Sequence, residues 1–153
     1  MRRCFLTGCY SGLFPKAPGT VGTLFGALVA MALLQFLPQS SLFLLTLLIT
    51  VIAIKEINIY EAQTNTSDHP SIVIDEIAGI WLAISILPDT HPLWIAISVA
   101  LFRFLDITKP SYIGRLEKLK GGVGVMGDDL LAGVVAGLLT GLIYVGVDYF
   151  DLV

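Results

Sequence analysis

The acidic residues of this chain are few and grouped: Asp75-Glu76 and Asp128-Asp129 form adjacent pairs, and Asp106 lies three residues after Arg103 and three before Lys109. Both pairs stand at the edge of apolar stretches. Carboxylates gathered in a poorly hydrated setting repel one another strongly unless a cation lies among them. Hard divalent ions take oxygen ligands, so a Mg2+ site is the economical reading. Taken singly, Asp75 or Asp128 also reads as a helix cap, because an acid at a helix start accepts from free amides and suits the positive dipole end. Capping accounts neither for the second member of each pair nor for Asp106 at a helix C-terminus, where negative charge is disfavoured.

Arg103, Asp106 and Lys109 stack along one flank of a helix. Two readings stand for them: structural salt bridges, and phosphate binding by an Arg fork and a Lys point charge. Pro110 ends the helix at Lys109. The glycine-rich run from Gly121 to Gly127 leads into Asp128. It reads either as a loop that offers backbone amides, Gly122 and Gly124 among them, to an anion at a helix start, or as a flexible connector. Residues 12–20 (GLFPKAPGT) place Lys16 and Thr20 at the mouth of the first apolar segment, where Pro18 to Thr20 also serve simply to start a helix. Gly22 and Gly26 read as packing glycines. His69, beside Asp68, is a minor candidate for proton transfer, and His91 falls in a turn on the other side. The chain has no P-loop and no H-E-x-x-H pattern. Neither cysteine is followed six residues on by arginine, and the two histidines fall on opposite faces. What remains is metal-assisted attack by water.

These residues have to be positioned by apolar segments. Five such segments run from Thr20 to Leu37, Leu42 to about Ile57, Ile72 to Leu87, Leu93 to about Ile107, and Asp128 or Asp129 to about Val147. The last is rich in small residues that let membrane helices approach closely. No strand-like alternation competes. Pro38-Gln39-Ser40-Ser41 and Pro88 to Pro92 are tight turns. Asn58 to Ser71, with an expected interfacial helix, and Thr108 to Gly127 are polar connectors. Each short turn returns the chain to the side it came from, so the N-terminus and both connectors share one side. All nine Lys and Arg fall there, and by the positive-inside rule that side is cytoplasmic.

Composition agrees. Charged residues make up 14% of the 153, against about 25% in soluble domains, and mean hydropathy is +0.85. With a net charge of −3 there is no basic stripe for nucleic acid. Cys4 and Cys9 read as reduced thiols. The polar residues soon after Met1-Arg2-Arg3 predict no cleaved leader. The expectation is one domain over residues 1–153: an all-α membrane bundle of about five apolar helices, with the polar site at its cytoplasmic ends.

The chain resembles the phosphatidylglycerophosphatase A family of bacterial lipid phosphatases. The resemblance rests on residues 12–23 (GLFPKAPGTVGT), 68–79 (DHPSIVIDEIAG), 102–110 (FRFLDITKP) and 121–133 (GGVGVMGDDLLAG). It implies Mg2+-dependent hydrolysis of phosphatidylglycerophosphate to phosphatidylglycerol and inorganic phosphate, in the bacterial cytoplasmic (inner) membrane. The motif residues it carries over are Lys16, Thr20, His69, Asp75, Glu76, Arg103, Asp106, Lys109, Asp128 and Asp129. From the chemistry of these residues, Asp75, Glu76, Asp128 and Asp129, with Asp106 as an alternative further ligand, are expected to hold Mg2+ and do the catalysis, one of them acting as base. Lys16, Thr20, Arg103 and Lys109 are expected to bind phosphate, with His69, Asp106, Gly122 and Gly124 in support. The expected partner is a phospholipid in the membrane and not nucleic acid; homo-oligomerisation stays open. The rival reading is a small membrane cation transporter or channel subunit, but such proteins usually carry their charges near the midplane, often on broken helices. A structural membrane subunit is disfavoured by the paired acids.

Overall fold

Prolines and left-handed residues fix where most of the helices start and stop. A short α1 (Arg2–Leu6) and a 3-10 turn (Ser11–Leu13) lead into α2 (Pro18–Leu34). Then follow α3 (Gln39–Thr64), α4 (Ile74–Ser85), α5 (Pro92–Thr108), α6 (Ile113–Leu116) and α7 (Gly122–Tyr149). This computed structural model describes residues 2–66, 69–110, 113–116, 119 and 121–150, with 114 and 115 as backbone only. Asp68, Lys118, Lys120 and the side chain of Arg115, which entered the sequence reading, lie outside the described residues. Among those described, every regular element is helical.

Pro18 and Pro92 sit in the first turns of α2 and α5, where a missing N–H costs nothing. Lys109 closes α5 with φ at 40°, directly before Pro110. The α3 helix does not end near Ile57 but runs on to Thr64, so the expected interfacial helix is its own last turns. Lys55 and Glu56 are good helix formers and do not break it, and Asn65 stops it with φ at 51°.

The glycine-rich run also differs from expectation. It is helical from Gly122 onward and is not a loop ending at Asp128. Its glycines serve close backbone approach: a Cβ on Gly122 would lie 2.5 Å from the Ile54 carbonyl oxygen, and one on Gly124 would overlap the Leu119 carbonyl oxygen.

Five helices overlap the expected apolar segments, but among the described residues only α3 and α7 are long and apolar enough to cross a membrane. At 26 and 28 residues they span about 39 and 42 Å, against a hydrocarbon core of about 30 Å. The 12 residues of α4 span only about 18 Å. Outward-facing Leu44, Leu48 and Val51 on α3, and Leu138, Leu142 and Val145 on α7, are exposed. A soluble surface rarely carries apolar area on this scale, whereas lipid tails solvate it.

The short α4 is the centre of the bundle, touching α2, α3, α5 and α7. It is apolar nearly all round, as a fully surrounded helix must be, and even Asp75 in its first turn is buried. The Trp81 indole N–H, also buried, donates to the Gly26 carbonyl at 2.8 Å. At the other end, the Gln39 side-chain amide donates to the carbonyls of Ile84 and Leu87, each at 2.8 Å, tying the start of α3 to the end of α4 and the turn after it.

Where α4 meets α7, Gly79 and Gly133 bring the two backbones together. A Cβ on Gly133 would overlap the Gly79 carbonyl oxygen, and one on Gly79 would lie 2.7 Å from the Asp129 carbonyl oxygen. Gly133→Ala is therefore expected to destabilise the protein by roughly 1–3 kcal/mol, because neither backbone can give way. Gly146→Ala, whose added methyl meets nothing within 4 Å, should leave stability unchanged or slightly raised. Thermal unfolding of both variants in detergent checks the contrast.

Candidate active site

The starts of α2, α4 and α7 and the end of α5 surround one cavity of about 550 Å³, and both acidic pairs, Arg103, Asp106 and Lys109 line it. The centre of this site is a carboxylate trio. Asp75, Glu76 and Asp129 each offer an oxygen within 4.8 Å of the others. Asp75 and Asp129 are buried, and Glu76 Oε2 is a buried acceptor with no hydrogen-bond partner among the described residues. Three acids this close, removed from water, are stable together only with positive charge or protons among them. Their all-oxygen donor set suits a hard divalent cation.

Asp128 stands apart from its neighbour. Its Oδ2 accepts from Lys109 Nζ at 2.9 Å, and its Oδ1 accepts from the Asp129 amide at 3.1 Å. The expected four-acid metal set is thus divided into a trio and a separate ion pair across the same cavity.

Arg103 Nη1 donates to Asp106 Oδ2 and lies 3.5 Å from Thr23 Oγ1. Its Nε is buried and has no acceptor among the described residues. The salt-bridge reading of this flank is therefore realised in the structure, while the guanidinium keeps a donor in reserve. Thr23 was not singled out from sequence. Neither Thr23 nor Thr20 lines the cavity; Thr23, one helical turn further along α2, donates its hydroxyl to the Gly19 carbonyl at 2.8 Å. Lys16 is exposed and does not line it either; the neighbouring Ala17, Pro18 and Gly19 do.

Nor do Gly122 and Gly124 line the cavity. The Gly122 amide donates to Asn58 Oδ1 at 2.8 Å, so a side chain of α3 caps α7 where a bound anion was expected. Asn58 was missed because it was read as the start of a connector. His69 does reach the cavity wall. Its Nδ1 is 2.8 Å from Ser71 Oγ, and its ring packs edge-on to Tyr60.

The phosphatidylglycerophosphatase A family model matches residues 4–144. The chain belongs to this family. Two relatives named phosphatidylglycerophosphatase A come from Haemophilus influenzae and Escherichia coli K12. The first is 38% identical over 130 residues, covering 84% of this chain and 80% of the relative; the second is 37% identical over 134 residues, covering 86% and 77%. A Bacteroides thetaiotaomicron protein, named provisionally as a phosphatidylinositol-3-phosphatase, is 40% identical over 139 residues, or 87% of either chain. No solved structure matches the chain.

In this family member Gly19 bears directly on the trio. A Cβ there would overlap Glu76 Oε1 and lie 3.2 Å from Arg103 Nη1. Gly19→Ala is expected to displace both groups and lower phosphatase activity roughly 10–100-fold, with little change in unfolding temperature. Phosphate release and thermal unfolding, measured on the same preparation, check it.

Proposed function

We propose that this chain hydrolyses phosphatidylglycerophosphate to phosphatidylglycerol and inorganic phosphate with Mg2+ as cofactor. It would do so as a multi-pass, single-domain protein of the cytoplasmic membrane whose site faces the cytoplasm. One observation carries the reading: a trio of carboxylates faces two cations, Arg103 and Lys109, across a polar cavity at one end of an apolar bundle. Ion paths usually place their acids near the midplane, so this arrangement favours an enzyme over a cation transporter. Arg2, Arg3 and Lys16 precede α2, Lys55 falls in the second half of α3, and Arg103 and Lys109 fall at the end of α5, a distribution that supports the cytoplasmic orientation.

In this mechanism Asp75, Glu76 and Asp129 would hold the ion. Bound there, Mg2+ supplies Lewis acidity toward the phosphoryl oxygens. Arg103 turns its spare Nε toward the terminal phosphate, with Asp106 fixing the guanidinium, and Lys109 adds a point charge. One carboxylate of the cluster takes a proton from the attacking water as its oxygen bonds to phosphorus, the P–O bond to glycerol breaks, and the proton passes to the glycerol oxygen, so that phosphatidylglycerol and inorganic phosphate are released. Arg103 and Lys109 stabilise the charge on the phosphoryl oxygens as the transition state forms. The acyl chains stay in the bilayer throughout.

Phosphatidylinositol 3-phosphate is the second reading, and the name of the Bacteroides relative favours it. Purified protein in detergent, given each lipid with Mg2+ or with chelator, tests both. Rapid Mg2+-dependent phosphate release from phosphatidylglycerophosphate is expected. No release from it under any condition refutes the first reading, and release from the inositol lipid alone establishes the second.

A further inference from the structure

Beside the main cavity lies a second, smaller one of about 150 Å³, lined in part by Arg3, Thr7, Leu13, Tyr60, His69 and Ser71. The two cavities share His69 and Ile72 as a common wall. Arg2 and Arg3 are adjacent on α1 but differ in use. Arg2 Nε donates to Glu56 Oε2 at 2.6 Å and Nη1 to Gln63 Oε1 at 2.9 Å, which ties α1 to the end of α3. The Arg3 guanidinium has no hydrogen-bond or ion-pair partner among the described residues, although it lines a pocket that also holds the aromatic ring of Tyr60 and the imidazole of His69. The pocket has an apolar rim: Leu13 lines it, and the nearby Tyr10 and Phe14 side chains are exposed.

A cation beside polar side chains and an apolar rim, one wall away from a phosphate-monoester site, matches a particular ligand chemistry. The terminal phosphate of phosphatidylglycerophosphate is joined through a three-carbon unit to a phosphodiester, and the diester leads to the acyl chains. In phosphatidylinositol 3-phosphate, carbons 1, 2 and 3 of the ring set the same interval between diester and monoester. Any such headgroup brings a second anion to a fixed short distance from the first, on the side nearer the lipid tails.

We propose that the Arg3 pocket receives this phosphodiester while the main cavity holds the monoester; the assignment rests on the lipid-phosphatase reading above. Arg3 is then a specificity residue. It selects headgroups with a diester three carbons from the scissile phosphate, and the acyl chains leave past Leu13. A single anchoring anion would let one site take headgroups as different as glycerol and inositol, since the group they share is the one recognised.

The test uses full-length protein in detergent with three soluble probes: glycerophosphoglycerol and glycerophosphoinositol, which carry the diester but no monoester, and inorganic phosphate. Wild type should bind at least one diester probe, and preference between the two separates the glycerol from the inositol lipid. Arg3→Met should weaken that binding roughly tenfold, Arg3→Lys should fall between, and all three proteins should bind phosphate equally. The proposal is overturned if wild type binds neither diester, if Arg3→Met binds it as wild type does, or if the variant loses phosphate to the same degree. These are equilibrium measurements. A wild type that hydrolyses no lipid would sink the proposed activity and still leave the pocket decided by its own result.

Discussion

Asp129→Asn is expected to lower phosphate release by about 10³-fold and to raise the Mg2+ concentration needed for half-maximal activity, the signature of a lost ligand in a site that works by electrostatic stabilisation. Asp128→Asn should behave differently, although the two residues are adjacent. Asp128 is engaged with Lys109 and lies outside the trio, so its loss should disturb how Lys109 is held and shift Mg2+ dependence far less. Mg2+ titrations of the two variants side by side check the contrast. Equal Mg2+ dependence in both would mean that the trio is not the metal site. The asparagine replacements keep side-chain volume, so packing at the α4–α7 contact stays comparable.

The second large effect is expected at Arg103. Arg103→Lys should lower kcat/KM by about 10²-fold and weaken inhibition by inorganic phosphate, even though the charge is kept. The reason is geometric. Arg103 reaches Asp106 through Nη1 and still has a buried Nε to offer, whereas a lysine ammonium has no rigid second arm. A donor left buried without an acceptor is uncommon in native proteins and marks a place where a ligand atom is wanted. Steady-state kinetics with phosphate as inhibitor check this. A lysine variant as active as wild type would reduce Arg103 to a structural ion pair.

The helical class and the end of the bundle at which the acids meet Arg103 and Lys109 were legible in the sequence, because both follow from local rules. Apolar runs bounded by proline, together with turns too short to cross a bilayer, decide which segment ends share a side. Asp75, Glu76, Arg103, Asp106, Lys109, Asp128 and Asp129 accordingly meet in one cavity. Helix ends were less legible. Lys55-Glu56 looked like the limit of a span, but a charged pair does not stop a helix, and α3 carries it on to Asn65. The same error hid Asn58, whose role depends on a helix it does not belong to.

What the sequence by itself determined, then, is which acids meet Arg103 and Lys109, and the end of the bundle that holds them. Only the tertiary structure decided which atoms face one another. Neighbouring residues on a helix point about 100° apart, and the rotation of α7 turns Asp129 toward Asp75 and Glu76 while Asp128 meets Lys109. That rotation is fixed by the contact of Gly133 with Gly79, between residues far apart in the chain. The capping of α7 by Asn58 and the Arg3 pocket share this origin. Each depends on the phase of one helix against another, which close packing between distant segments sets and which no local pattern records.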